Sequence, residues 1–172
     1  MILFWALSGL LFVSFLLIVF RGAPFVPTLK NDVNRLFAVY KFKRNDVLVD
    51  LGSGDGRVVL AAAERGIRVI GYELNPFLAV WSHWRLKSAK LKNAEIKFGD
   101  FWASALPEDT AVVFVFLAGP FMQKLDKKMS QEAERLGHDI TLISYGMKIP
   151  GKTPLKTDGS FVLYQYPGTD KT

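Results

Sequence analysis

Glycines and carboxylates alternate within residues 46–66, which read DVLVDLGSGDGRVVLAAAERG. A hydrophobic run ends at Asp50, a turn with glycine at every second position follows, and an alanine-rich stretch begins after Arg57. Glycine lets the backbone turn sharply and approach a ligand closely, because it has no side chain. The carboxylates of Asp50 and Asp55 would offset positive charge on that ligand. The candidate binding residues of this loop are Asp50, Gly52, Ser53, Gly54, Asp55 and Gly56.

Three classes of ligand compete for such a loop. A phosphate-binding loop requires a lysine after its glycines, and none follows them here. A dinucleotide fingerprint requires glycine at position 57, where this chain has Arg57, and the two carboxylates would repel a pyrophosphate. S-adenosylmethionine carries a cationic sulfonium and a cationic ammonium, but it has no phosphate. The loop therefore predicts S-adenosylmethionine as the cofactor.

Two further acidic residues stand where the next two predicted strands end. Glu73, in the sequence VIGYELNP, is followed by Leu74 and Asn75, and a carboxylate there can accept hydrogen bonds from both ribose hydroxyls of a nucleoside. Asp100, in the sequence KFGDFW, can accept from an adenine amino group while the neighbouring Phe101 packs on the ring. Three motifs in this order favour one nucleoside-binding site over three unrelated turns.

Strand and helix patterns alternate along most of the chain. Apolar runs predict strands at 47–50, 68–73, 95–98, 110–117, 140–145 and 160–166. Helices are predicted from residue 29 to about 40, at 57–65, from 76 to about 90 and at 120–137, with Thr28 and Asn75 as N-caps. The alternation indicates an α/β fold with a doubly wound, mostly parallel sheet, whose last strand is antiparallel at an edge. Ligands bind such sheets beyond the C-terminal ends of the strands, where the glycine loop is expected.

The N-terminal stretch at residues 2–20, ILFWALSGLLFVSFLLIVF, has no charged side chain. As a helix it would span about 28 Å, close to the hydrocarbon thickness of a bilayer. We therefore expect a single-span membrane anchor at 1–21, followed by a Gly/Pro hinge at 22–28. A removed signal peptide is the alternative, although no basic residue precedes the run. Arg21 and Lys30 on its C-terminal side predict that the following domain faces the cytoplasm or the mitochondrial matrix.

The motifs DLGSGDGR, GYELNP and GDFW resemble the first three cofactor motifs of class I, seven-strand S-adenosylmethionine methyltransferases, which have a Rossmann-like fold. The chain most resembles the membrane-associated lysine methyltransferases of the ATP synthase c subunit and the adenine nucleotide translocase, with their prokaryotic relatives. That resemblance also covers PFVPT, VFLAGPFMQKLDKKM and FVLYQY. It implies a methyltransferase domain at 29–172. By the same resemblance the glycine loop lies at the methionine end of the cofactor, Glu73 at the ribose, and Asp100 and Phe101 at the adenine.

The methyl acceptor is less well specified by the sequence. Enzymes that methylate base amines typically carry Asn/Asp-Pro-Pro-Tyr/Phe after the fourth strand, whereas this chain has LAGPF, so a nucleic acid partner is not expected. We expect a lysine of a membrane-associated protein as the acceptor, and the net charge of +6 favours contact with anionic membrane lipid. Two alternatives stay open: methylation of a small molecule or lipid, and a non-catalytic scaffold with the cofactor fold.

No general base and no metal site can be assigned from the sequence. An apolar channel would promote deprotonation of an incoming lysine, because burial disfavours the charged ammonium. Five residues are candidates for its lining, although a core position is the alternative for each: Phe25, Leu117, Pro120, Phe121 and Tyr145. His83 falls inside a predicted helix, away from the strand ends, and we expect it to have a surface or packing role.

Overall fold

The computed structural model describes residues 28–169, together with Met1, Trp5 and Gly9. Its strands are β1 (Val47–Leu51), β2 (Arg68–Glu73), β3 (Ala94–Phe98), β4 (Thr110–Val115), β5 (Ile140–Tyr145), β6 (Lys156–Asp158) and β7 (Phe161–Tyr166). The helices within 28–169 are α1 (Lys30–Val39), α2 (Arg57–Glu64), α3 (Pro76–Ser88) and α4 (Met122–Leu136), and a 3-10 turn at Gly119–Phe121 precedes α4.

Most of the predicted anchor and most of the hinge lie outside the described residues. Within the described part of the chain, every helix is too short or too polar to cross a bilayer.

The seven strands form one sheet in the order β3-β2-β1-β4-β5-β7-β6. Strands β1 to β5 are parallel, and β7 runs antiparallel to both β5 and β6. The prediction of a doubly wound, mostly parallel sheet is therefore confirmed. The strand order reverses between β1 and β4, so the loop that follows β1 lies at the topological switch point, where such sheets bind ligands.

Helices cover both faces of the sheet. Residues of α4, among them Met122 and Met129, pack with Val47, Val49 and Leu51 of β1 on one face. On the other face, residues of α1 and α2 pack with the alternate positions of the strands, such as Leu48. All five residues of β1 are buried, as expected for a central parallel strand covered on both sides.

Three details of the structure differ from the sequence-based predictions. The strand β7 is not an edge strand, because β6 pairs with its outer side, and the three residues of β6, KTD, are too few and too polar to show a pattern. Thr28 does not cap α1, whose N-cap is Leu29 and lacks a side-chain hydrogen bond. The fourth strand ends at Val115 instead of residue 117, since the chain turns there toward the 3-10 turn.

Candidate active site

The glycine loop is held against the end of β2 by its backbone. The N–H groups of Gly52 and Ser53 both donate to the Tyr72 carbonyl oxygen, each at 2.9 Å. This pairing continues the parallel register, in which Leu51 of β1 lies opposite Tyr72 of β2. Gly52 has φ +84°, and a side chain added there would meet no heavy atom within 4 Å. The loop therefore combines a fixed backbone with open space at Gly52.

The predicted ribose-binding carboxylate is tied to the glycine loop. Glu73 Oε2 accepts a hydrogen bond from the N–H of Gly54 at 2.7 Å, and Oε1 accepts from the N–H of Asn75 at 2.7 Å. Burial raises the pKa of Glu73, although hydrogen bonds from the backbone of Asn75, Gly54 and Leu74 act in the opposite direction. One carboxylate thus links the turns that follow β1 and β2.

Asn75 performs the capping role expected of it, and Leu74 lies beside it. The Asn75 side chain accepts hydrogen bonds from the N–H groups of Phe77 and Leu78, at 2.9 and 3.3 Å. The Asn75 side chain therefore caps the first turn of α3. Leu74, which precedes Asn75 in the chain, is half-buried.

Asp50 is a buried carboxyl group. It is 3% exposed, and within residues 28–169 no ion pair reaches it. Burial, together with the negative charges of Glu73 and Asp55, raises the pKa of Asp50 to about 8. The raised pKa favours the protonated form of this group in the free protein, and a cation arriving beside it would favour its ionised form.

Asp55 is in a different electrostatic environment. Its carboxylate pairs with Arg57 Nε at 2.9 Å and with Arg85 Nη1 at 3.1 Å. Burial alone would raise the pKa of Asp55, but the hydrogen bonds and charge of Arg57 and the charge of Arg85 outweigh it and lower that pKa. Arg57 also donates to the Thr28 carbonyl oxygen at 2.8 Å. The charge of Asp55 is thus balanced by two arginines, and less negative charge is free at the loop than the sequence predicts.

Ser53 packs beneath the loop. A Cβ atom added at Gly71 would lie 2.7 Å from both Cβ and Oγ of Ser53 and 2.9 Å from Val59. The absence of a side chain at position 71 therefore lets Ser53 lie on β2. The Ser53 hydroxyl is buried and has no hydrogen-bond partner among the residues that the structure describes.

The third motif lies beside the second. The Gly99 N–H donates to the Glu73 carbonyl oxygen at 2.9 Å, which brings the turn after β3 to the end of β2. Asp100 Oδ1 accepts from the Trp102 N–H at 2.9 Å. The Phe101 and Trp102 rings are 4.6 Å apart between centroids, and both are half-buried. The structure thus brings all three predicted motifs to one edge of the sheet.

An aromatic cluster at the ends of β4 and β5 was only partly identified from the sequence. The Phe116 and Tyr145 rings meet edge to face with centroids 4.9 Å apart. The Tyr145 hydroxyl donates to Asp32 Oδ2 of α1 at 2.5 Å, and this hydrogen bond, with burial, raises the pKa of Tyr145. Phe116 was not predicted because it lies inside an apolar run in which nothing distinguishes it from its neighbours. The pairing of Tyr145 with Asp32 was not predicted because it joins residues more than a hundred positions apart.

The other channel candidates occupy different environments. Leu117 is 4% exposed and belongs to the hydrophobic core, so the core alternative holds for it. Phe121 is half-buried and lies 6.4 Å from Trp102 between ring centroids, whereas Pro120 is exposed. Phe25 lies outside the described residues. His83 is exposed on α3, in keeping with a surface role. Within the described residues, no group of three or more His, Asp or Glu side chains is arranged to hold a metal ion.

The segment that carries the three motifs matches a known protein family. Residues 50–156, which begin at Asp50 and include Glu73 and Asp100, match the model of the family described as the ANTKMT methyltransferase domain. The chain belongs to this family. The resemblance expected from the three motifs is therefore confirmed.

Two curated relatives illustrate the extent of the similarity. The human ATP synthase c-subunit lysine N-methyltransferase is 34% identical over 132 residues, which are 76% of this chain and 54% of that protein. A protein-lysine N-methyltransferase of Saccharolobus islandicus is 29% identical over 134 residues, covering 76% of this chain and 81% of that protein. The chain thus spans about half the length of the human relative.

A solved structure shares the fold over nearly its whole length. It is the RNA methyltransferase from Salinibacter ruber in complex with S-adenosyl-L-homocysteine, at 27% identity and a TM-score of 0.73. The match covers 86% of this chain and 96% of that one.

Proposed function

We propose that this chain is an S-adenosylmethionine-dependent methyltransferase that methylates a lysine side chain of a protein. The observation that carries the proposal is the 2.7 Å hydrogen bond between Gly54 and Glu73 at the switch point of the sheet, inside the segment that matches the methyltransferase family. Relatives that act on protein lysine support the choice of acceptor.

The residues present fit that cofactor. The side of Gly52 that faces no other heavy atom offers room for the methionine end, and Asp50 is a nearby carboxyl group that no arginine or lysine neutralises within residues 28–169. Glu73 keeps acceptor capacity for ribose hydroxyls, since each carboxylate oxygen can accept more than one hydrogen bond. Asp100 and Phe101 follow Gly99, whose N–H donates to the Glu73 carbonyl oxygen, and they would contact the adenine.

Bound S-adenosylmethionine would supply an electrophilic methyl group, to which the neutral amine of the acceptor would bond as the carbon–sulfur bond breaks, so that S-adenosylhomocysteine leaves and the methylated amine loses its proton to water. The work of this chain's own residues is to position the two reactants, because a well-oriented displacement gains much of its rate from proximity. A free lysine has a pKa of about 10.4 and is charged at neutral pH. Phe116 and Tyr145 at the ends of β4 and β5 would surround the arriving amine with aromatic surface and lower its pKa.

We also propose that residues 1–21 anchor this enzyme in a membrane, with the catalytic domain on the cytoplasmic or matrix side. The support is the uncharged run at residues 2–20, followed by Arg21. Alkaline carbonate extraction of membranes from cells expressing the full chain tests the anchor. Retention in the pellet is expected for the full chain, and release into the supernatant would contradict it.

Methylation is tested with the full chain reconstituted in vesicles, radiolabelled S-adenosylmethionine and a membrane fraction as the source of acceptor. We expect label in protein, recovered as methylated lysine after acid hydrolysis. Glu73→Gln should lose this labelling, whereas Glu95→Gln on β3, an exposed residue, should retain it. Cofactor binding without any labelled product would support the scaffold alternative instead.

RNA is a second candidate acceptor, because the structure from Salinibacter ruber is described as an RNA methyltransferase. The LAGPF sequence after β4 argues against it, since it has no polar side chain to hold a base amine. Extraction of the labelled reaction separates the possibilities: label in nucleic acid would favour RNA, and label in the organic phase would favour a lipid.

A further inference from the structure

The helix α3 exposes four large apolar side chains on one face. Phe77 is 71% exposed, Val80 71%, Trp81 50% and Trp84 56%, and the two tryptophan rings stack with centroids 5.1 Å apart. Their spacing of three and four residues places them along a single stripe of the helix. The opposite side of α3 is buried against the domain through Ala79, Ser82 and Leu86. These four residues, which we call the tryptophan face, are therefore not part of the core.

Basic residues accompany the tryptophan face, and acidic residues are absent from this part of the sequence. Between positions 76 and 93 the chain has Arg85, Lys87, Lys90 and Lys92 and no Asp or Glu. Lys87, Lys90 and Lys92 are all exposed. A helix with Trp and Phe on one side and Lys or Arg around it is typical of helices that lie in the interface of an anionic bilayer. Tryptophan is also enriched at that depth, because its ring is apolar and its N–H is polar.

The position of α3 relative to the N-terminal part of the chain is compatible with such a contact. The described domain begins at Thr28, whose carbonyl oxygen accepts from Arg57. Arg57 shares the Asp55 carboxylate with Arg85, which belongs to α3. The described domain therefore begins close to α3, and residues 22–28 alone separate it in sequence from the proposed anchor.

We propose that the tryptophan face of α3 is a second membrane contact, which inserts into the interface of a bilayer containing anionic lipid. This contact would fix the orientation of the C-terminal edge of the sheet relative to the bilayer. This contact would form whether or not the domain transfers methyl groups.

Accessibility of a single label tests the contact, because the chain has no native cysteine. A nitroxide is attached to Val80→Cys in the full chain, reconstituted in vesicles of phosphatidylcholine with phosphatidylserine or of phosphatidylcholine alone. Its collisions with a water-soluble nickel chelate are then measured by electron paramagnetic resonance. Gln131→Cys, exposed on α4 on the other face of the sheet, is the matched control.

We expect the label at position 80 to be about fivefold less accessible than the label at position 131 in phosphatidylserine vesicles. Replacing Lys87, Lys90 and Lys92 together by glutamine should remove most of this protection. Equal accessibility of the two positions would overturn the proposal. Equal protection of position 80 in both kinds of vesicle would also overturn it, because the face would then be covered without any need for anionic lipid. Methyl transfer measured on the same samples reports separately on the proposed function.

Discussion

Glu73 of β2 accepts a 2.7 Å hydrogen bond from the backbone N–H of Gly54, so the carboxylate at the end of one strand holds the loop that follows its neighbour. The second oxygen of Glu73 accepts from Asn75, at the start of α3. The residue predicted to bind ribose therefore also organises the backbone of the site.

Replacing Glu73 by glutamine should weaken cofactor binding at least about tenfold. The amide nitrogen that takes the place of one carboxylate oxygen would face an N–H donor, so the hydrogen bond that holds one of the two turns would be lost. The same loss should lower the free energy of unfolding by about 1 to 3 kcal/mol. Isothermal titration calorimetry with S-adenosylhomocysteine and urea unfolding measure the two effects. Glu95→Gln is the control, and unchanged affinity in the Glu73 variant would rule out the ribose assignment.

Cofactor affinity should rise with pH between 6 and 8, because the pKa of Asp50 is raised to about 8 and a bound cation favours the ionised carboxylate. Binding at pH 7 should accordingly release about one proton per cofactor. Calorimetry in buffers of different ionisation enthalpy measures that number. Asp50→Asn should bind without this proton release, and a wild-type release of zero would show that cofactor binding does not change the protonation of Asp50.

The raised pKa of Asp50 also affects how the stability of the free protein depends on pH. Asp50 is easier to protonate in the folded state than in the unfolded state, so its contribution to stability is fully present below pH 3.8. That contribution is lost as the pH rises toward 8. The stability of Asp50→Asn relative to the wild type should therefore increase between pH 5 and pH 8, as measured by urea unfolding. A constant difference across this range would contradict the raised pKa.

Asp55→Asn should behave in the opposite way. The pKa of Asp55 is lowered in the folded state, so the stability it provides is present above its ordinary pKa and is lost as the pH falls through the lowered value. We expect a loss of about 1 kcal/mol at pH 7, when Arg57 and Arg85 lose their shared partner, and a smaller loss at pH 3. Asp109→Asn is the control, since the Arg68–Asp109 pair is about half exposed and should contribute little. Equal losses of stability in the two variants at pH 7 would argue against a stabilising role for the pairing of Asp55 with Arg57 and Arg85.

Gly71→Ala should destabilise the domain by about 1 to 3 kcal/mol, because its methyl group would overlap Ser53 and Val59. Adding Ser53→Gly removes the two shortest contacts and should restore part of the loss. Gly119→Ala is the matched control, since a methyl group there meets no atom within 4 Å. If Gly71→Ala and Gly119→Ala unfold at the same urea concentration, the packing of Ser53 on β2 does not require glycine at position 71.

Local patterns in the sequence were sufficient to predict the parallel sheet and the order of the three motifs. Val47–Leu51 is an apolar stretch, interrupted by Asp50, that ends in a glycine turn, and both features depend only on neighbouring residues. Asn75 followed by proline marks the start of α3 in the same way. The short strand β6 was not predicted, because its three polar residues form a strand only through pairing with β7.

The electrostatic environment of the site was decided by the tertiary structure. Two aspartates of one loop look equivalent in the sequence, yet Asp50 is buried and forms no ion pair within residues 28–169, whereas Asp55 is balanced by Arg57 and by Arg85, thirty residues away. The exposure of Trp81 and Trp84 likewise depends on which side of α3 meets the sheet. Strand patterns and turns arise from near neighbours in the chain, whereas burial and charge pairing arise from contacts between distant segments. For this reason the sequence by itself determined the cofactor motifs and the fold class, and only the folded chain decided the protonation of Asp50 and the surface that α3 leaves uncovered.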